Sequence, residues 1–290
     1  MSRPKSLRSY GQVFDTVADE YDAFRSGYPE TLVDRCMSRG GLGPGSRVLE
    51  VGCGTGKLTE LLVARELEVF AIEPGPNMIE AARRRLGSLS DRVQFEIATF
   101  EEARLPEPPF DALFSATAFH WPDPAVSWQK AASHLETGGL LALLSHVGIH
   151  DEQSARADEE FLVLVAKHAP DVAAGWRPLH DLETILAGAE ERRANASAVW
   201  DWITGERHGL AVEQAAELFD DVSVVAEVSR REETADQILA QLRTTTLYFR
   251  IEEERRPAFE EDERSLIESM GGTAVSTLAT VLMTASARPQ

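Results

Sequence analysis

The sequence is poor in cysteine, in basic residues and in long apolar runs, and each shortage excludes a class of protein. Its two cysteines among 290 residues, Cys36 and Cys53, lie at no metal or redox spacing. A reduced, cytoplasmic setting is the expectation. No run reaches the ~18–20 uninterrupted apolar residues of a membrane-spanning helix; Leu140–Leu144 is short and His146 follows it closely. Met1–Tyr10 carries Arg3, Lys5 and Arg8 but no apolar stretch, so no secretory signal is expected there. Basic residues number 29 against 48 acidic ones, a formal charge of −19. Tracking a phosphate backbone needs a positive contact surface, and an anionic membrane attracts polybasic patches. Neither nucleic acid nor a membrane is therefore an expected partner. A composition 43% apolar and 27% charged is ordinary for one or two globular domains.

What is present is a rhythm. From residue 47 to 146 short apolar runs (Arg47–Val51, Val69–Ile72, Val93–Ile97, Asp111–Ser115, Leu140–Ser145) alternate with amphipathic stretches. Those stretches are Lys57–Glu66, Asn77–Leu86 and Pro124–Leu135, with Gly138-Gly139 as a stop signal, and a short turn at Phe100–Leu105. Such alternation predicts parallel βαβ units with helices on both faces. After Ser145 the next strand-like run is Val222–Val228, far beyond the ~2–6 residues usual for an α/β connection. The interval holds helix candidates at Asp158–His168, Asp181–Gly188, Ala196–Ile203 and Val212–Phe219, together with Trp176, Trp200 and Trp202. It reads as a cap over a ligand site or as an interface element. Thr234–Arg243 is a further helix candidate, Ile251–Met270 is charge-rich, and Ala274–Ala285 fits either a helix or a strand.

The strongest signal is the run Val48–Thr59, in which a strand enters Gly52, Gly54 and Gly56 just before a helix. Glycines let backbone approach a ligand closely, and a helix start offers unpaired N–H groups. The spacing is Gly-x-Gly-x-Gly, neither the dinucleotide fingerprint nor a P-loop. Glu50, just before the glycines, suits a ligand with positive charge and would repel a pyrophosphate. Glu73, about twenty residues after the loop, ends the second strand, where an acid can accept both hydroxyls of a ribose. Either carboxylate alone could be a solvated strand-end group.

At these residues the sequence resembles the class I S-adenosylmethionine-dependent methyltransferases over most of its length. The resemblance implies a Rossmann-like α/β fold: a seven-stranded, mostly parallel sheet with helices on both faces, an antiparallel last strand, and a helical cap insertion. It makes Ala274–Ala285 that last strand. The implied cofactor is S-adenosylmethionine, with Gly52, Gly54 and Gly56 against its methionine part and Glu50 near its ammonium. Glu73 would hold the ribose, Pro74 and Met78 belong to the turn on the adenine, and Thr99 and Phe100 to the adenine turn. Many relatives have Asp at the position of Thr99. More narrowly, Phe14, Asp15, Ala18, Tyr21, Asp22, Arg25, Tyr28 and Pro29 are similar to the N-terminal lid of methyltransferases akin to trans-aconitate methyltransferases. There Arg25 would pair the cofactor carboxylate. Ser115–Trp121, with Ala116, resembles the family's fourth-strand end, and Leu242–Tyr248 a substrate-side helix. The implied organisation is a lid over 1–40, a cofactor core over 41–146, a cap over 147–220, and 221–290 completing the sheet.

Transfer of a sulfonium methyl needs an in-line nucleophile, and a hydroxyl acceptor gains from a general base. His120, after the fourth strand, is the first candidate; with Trp121 it could equally shape the pocket. His146 and His150 invite a metal reading with Asp151, but Gly148 weakens the helix this would need, so lining the acceptor site is favoured. Tyr21, Tyr28, Trp176 and Tyr248 are further acceptor-side candidates, and Arg177, Arg243 and Arg250 could clamp a carboxylate. His134 and His168 read as surface residues, and Glu252–Arg256 and Glu260–Arg264 as a solvent face. The expected activity is methylation of a small-molecule acceptor at oxygen. Carbon or nitrogen acceptors, a cofactor-binding protein without turnover and a nicotinamide oxidoreductase stay open, as does a homodimer.

Overall fold

The computed structural model describes residues 12–107, 109–176, 178–205 and 213–289. The expectations for Met1–Tyr10, for Arg177 and for the start of the Val212–Phe219 helix lie outside them. Helices α1 (Ala18–Phe24) and α2 (Glu30–Gly40) come first. The chain then runs β1 (Arg47–Val51), α3 (Lys57–Val63), β2 (Glu68–Ile72), α4 (Pro76–Leu86), β3 (Val93–Glu96), β4 (Phe110–Ala116), α5 (Pro124–Ser133) and β5 (Leu135–Gly148). Helices α6 (Ala155–His168), α7 (Pro170–Ala173), α8 (Leu182–Glu191), α9 (Ala196–Ile203) and α10 (Ala215–Leu218) follow, then β6 (Phe219–Thr234). Last come α11 (Ala235–Leu242), α12 (Thr246–Arg250), α13 (Arg256–Ser269) and β7 (Thr273–Ala287).

The strands form one seven-stranded sheet in the order β3-β2-β1-β4-β5-β7-β6, and the neighbours from β3 to β5 pair parallel. The expected seven-stranded, mostly parallel sheet is present, and Ala274–Ala285 is strand. Local chemistry explains several boundaries. Pro124 at the first turn and the Asp123 carboxylate, which accepts from the Ala125 N–H, start α5. Thr234 and Gln237 close a reciprocal capping box on α11. One expectation is corrected here. Helix α5 stops at Ser133, and Leu135 already pairs with Phe110, so Gly138-Gly139 lies within β5 and is not a helix stop. Strand pairing overrides the apolar spacing that extends the helix in the sequence.

Two compact units divide the chain. One comprises residues 27–147, 183–227 and 280–290, with β1 to β4 entirely within it. Its main core packs Leu32, Val33 and Cys36 of α2 and Leu58 and Leu62 of α3 onto Val48, Ala112, Phe114, Ala142 and Leu144 of the sheet. In-register pairing aligns Val48 with Ala112 and Glu50 with Phe114, which fixes this face by the two-residue alternation of a strand. The other unit comprises residues 1–26, 148–182 and 228–279. In its described part Phe259 packs with Val165, Val172 and Ile251. The segment 147–220, expected as one cap, is shared between the units. Among the described residues no helix is long and apolar enough to cross a membrane.

Candidate cofactor and acceptor site

The carboxyl end of β1 delivers Glu50 and then the glycine loop. All three glycines take positive φ, at 73°, 54° and 80° for Gly52, Gly54 and Gly56, a conformation costly for other residues. A Cβ on Gly52 would lie 2.3 Å from the Ala118 Cβ, so the loop touches the segment after β4 directly. Gly52 and Cys53 both donate backbone N–H bonds to the Ile72 carbonyl, which ties the loop to the end of β2.

Glu50 and Glu73 bracket this loop. Glu50 is 1% exposed, and its Oε2 has no hydrogen-bond partner. Burial pushes its carboxyl up to about 7; the Thr59 hydroxyl opposes the rise and the Glu73 charge adds to it. The Glu73 carboxylate accepts from the Gly54 N–H at 3.1 Å and from the Gly75 N–H at 3.0 Å, bridging the loop and the turn before α4. A buried carboxylate with an unfilled acceptor is costly unless a cation or donor meets it. The ammonium of S-adenosylmethionine supplies such a donor, so the residues present fit that cofactor.

Pro74 opens the turn after β2, and Met78 is buried on α4, its methyl 4.0 Å from where a Gly54 Cβ would lie. Thr99 is half-buried and donates its hydroxyl to Glu102 at 3.1 Å. Phe100 is buried against Phe119, with Lys130 over its ring at 5.4 Å, so its aromatic face is taken up by packing.

A second group gathers at the ends of β4 and β5. Ala116 ends β4, and Thr117 beyond it has a φ of 54°, unusual for a β-branched residue. The Tyr28 hydroxyl donates to Thr117 Oγ1 at 3.1 Å, and the Tyr28 ring stacks on His146 with centroids 4.9 Å apart and planes 3° from parallel. His146 Nδ1 lies 3.0 Å from Thr280 Oγ1. His120 is buried, its ring 4.7 Å from that of Trp121.

The chain matches a family model described as a methyltransferase domain over residues 48–139. An uncharacterized methyltransferase of Mycobacterium tuberculosis is 35% identical over 139 residues, 48% of this chain and 54% of that protein. A trans-aconitate 2-methyltransferase of Methylobacterium nodulans is 37% identical over 110 residues, 37% of this chain and 41% of its own length. An uncharacterized methyltransferase of Geobacillus thermodenitrificans is 30% identical over 184 residues, 60% of this chain and 78% of its length. The chain belongs to the class I S-adenosylmethionine-dependent methyltransferases. It spans about half the length of the first two relatives named. Among solved structures it resembles a protein of Anaeromyxobacter dehalogenans described as a candidate type II methyltransferase, with a TM-score of 0.60 and 20% identity over 92% of this chain and all of that one. The [4+2]-cyclase SpnF matches at a TM-score of 0.52 and 15% identity, covering 99% of this chain and 98% of SpnF. These two likenesses concern the fold, and a fold alone does not choose a reaction.

The methyltransferase sheet unit thus holds Tyr28, Glu50, Gly52, Gly54, Gly56, Glu73, Pro74, Met78, Thr99, Phe100, Ala116, His120, Trp121 and His146. Tyr21, Arg25, His150, Trp176 and Tyr248 belong to the other unit. There the Arg25 guanidinium donates to the Thr244 carbonyl at 2.7 Å and lies over the Tyr21 ring at 5.5 Å. Tyr248 donates to Glu260 at 2.6 Å, and Arg243 clasps the same carboxylate, which accounts for two acceptor-side candidates within one ion-pair network. Trp176 is partly exposed, edge-on to Phe161. His150 is exposed, and Asp151 beside it is held by Arg230 at 2.5 Å.

Two surface expectations are corrected. His168 is buried, 2.6 Å from Asp262, because α6 turns it toward α13. Glu263, within the run read as a solvent face, is 3% exposed, and burial raises its carboxyl to about 7. Thr117, Ala118 and Thr280 were not legible as site residues. Small and β-branched residues, in a strand or just past its end, carry no signal of their own until the fold shows what lies beside them.

Proposed function

We propose that this chain transfers the methyl group of S-adenosylmethionine to a small-molecule acceptor at an oxygen atom. The observation that carries the cofactor reading is the buried Glu50 carboxylate, whose Oε2 has no hydrogen-bond partner, beside three positive-φ glycines. Two carboxylates at this loop favour a cationic ligand and oppose the pyrophosphate of a nicotinamide cofactor. Glu50 would meet the ammonium, Glu73 the ribose hydroxyls, and Met78 the adenine. The similarity to trans-aconitate 2-methyltransferases supports an oxygen acceptor. A net charge of −19 supports a small molecule over a nucleic acid.

The test is binding followed by turnover. S-adenosylhomocysteine should bind and NADH should fail to displace it. Labelled methyl should then pass from S-adenosylmethionine to members of a panel of small phenols, hydroxy acids and carboxylic acids. Binding without turnover on any of them would favour a cofactor-binding protein; displacement by NADH would favour an oxidoreductase.

A further inference from the structure

Strand alternation places two side chains of different strands on one sheet face, and a third from outside the sheet meets them there. Ala116 pairs with Leu144, so His146 lies two residues further along β5 on the face of Leu144. Leu282 packs into the same core as Leu144, and Thr280 stands two residues from it along β7. Tyr28, one residue before the Pro29 that caps α2, comes down on this face and stacks flat on His146. The imidazole is thereby fixed twice, its plane by Tyr28 and its Nδ1 by Thr280. Tyr28 is itself anchored through Thr117, whose strained backbone is adjacent to Ala118, the residue in contact with Gly52. The group therefore sits one contact away from the cofactor loop. His120 lies instead in the connection after β4, its ring tilted at 47° to Trp121.

We propose that His146 is the proton acceptor for a hydroxyl-bearing acceptor molecule, with Thr280 and Tyr28 as its positioning residues. The proposal rests on the methyl-transfer reading above and deepens it. An Nδ1–H that donates to Thr280 Oγ1 leaves Nε2 as the basic nitrogen. As the acceptor oxygen bonds to the methyl carbon, its proton passes to Nε2, the carbon–sulfur bond breaks, and the bonding pair stays on sulfur. The products are a methyl ether, S-adenosylhomocysteine and an imidazolium that returns its proton to water. An ionised carboxylate acceptor would need no such base.

The experiment combines side-chain nitrogen NMR of the full chain, saturated with S-adenosylhomocysteine, with methyl transfer to phenols and hydroxy acids. The neutral His146 ring should carry its proton on Nδ1. Thr280→Val should move that proton toward Nε2 and slow hydroxyl methylation roughly tenfold, the worth of one hydrogen bond. Thr280→Ser should restore both. His146→Gln should lower kcat on hydroxyl acceptors by about 10²–10⁴-fold with the affinity for S-adenosylhomocysteine unchanged. A proton on Nε2 in the native protein would overturn the proposal. So would hydroxyl turnover indifferent to His146→Gln, or turnover on carboxylic acids alone. Failure of S-adenosylhomocysteine to bind would overturn the underlying methyl-transfer reading instead.

Discussion

In the proposed reading, Glu50 is the side chain that links the fold to its ligand. Its carboxyl titrates near 7 in the free chain because it is buried, whereas in an unfolded chain it titrates near 4.5. A raised carboxyl favours the folded state at low pH, and that contribution is lost as pH rises through about 7. An ammonium arriving at Oε2 favours the ionised form, so binding below pH ~7 must release a proton. Affinity for S-adenosylmethionine should therefore fall up to about tenfold per pH unit below that point. Glu50→Gln should flatten this profile and weaken binding at neutral pH. Calorimetry in buffers of different ionisation heat checks both, and no proton release in the native protein would contradict the assignment. Gly52 makes a sharper steric case. Alanine there meets both a positive φ and Ala118 at 2.3 Å. Gly52→Ala should cost about 1–3 kcal/mol of stability, read by denaturant unfolding, and should abolish cofactor binding.

At the scale of elements, helix packing in 183–227 gives an independent check. A Cβ on Gly188 would lie 2.3 Å from the Trp202 indole, whose Nε1 donates to the Ile185 carbonyl at 2.9 Å and over which Arg192 rests. The helices α8 and α9 can meet this closely only without a side chain at 188. Gly188→Val should destabilise by about 1–3 kcal/mol, and Asn195→Ala, which removes the cap oxygen that accepts from the Ser197 and Ala198 N–H groups, by about 1 kcal/mol. Unchanged denaturation midpoints would contradict this packing. The same elements show what sequence can convey. The limits of β1 and α9 are readable because apolar spacing, glycine and asparagine all agree there. The end of α5 is not, since Leu135 continues the helical spacing while its backbone pairs with Phe110. Likewise the glycine loop and its two acids are local signals. The Tyr28–His146–Thr280 contact joins residues far apart in the chain: strand order sets Thr280 beside His146, and the segment before α2 brings Tyr28 onto the ring.

Over the whole molecule the charge of −19 is the excess of 48 acidic over 29 basic residues, and most of the acids that the structure describes are exposed. Self-repulsion on this scale opposes the compact state and is screened by salt. Raising ionic strength from near zero to physiological should raise the melting temperature, by about 2–4 °C for each kcal/mol recovered. A fall with added salt would show that ion pairs such as Arg243–Glu260 outweigh the repulsion. In the proposed reading, Glu50 and Glu73 beside the glycine loop turn the same acidity to holding the cofactor. Isothermal calorimetry of the native chain and of Glu73→Ala with S-adenosylhomocysteine tests that use most directly. The native chain should bind one equivalent and the variant none; no binding by the native chain, or equal binding by both, would contradict the account.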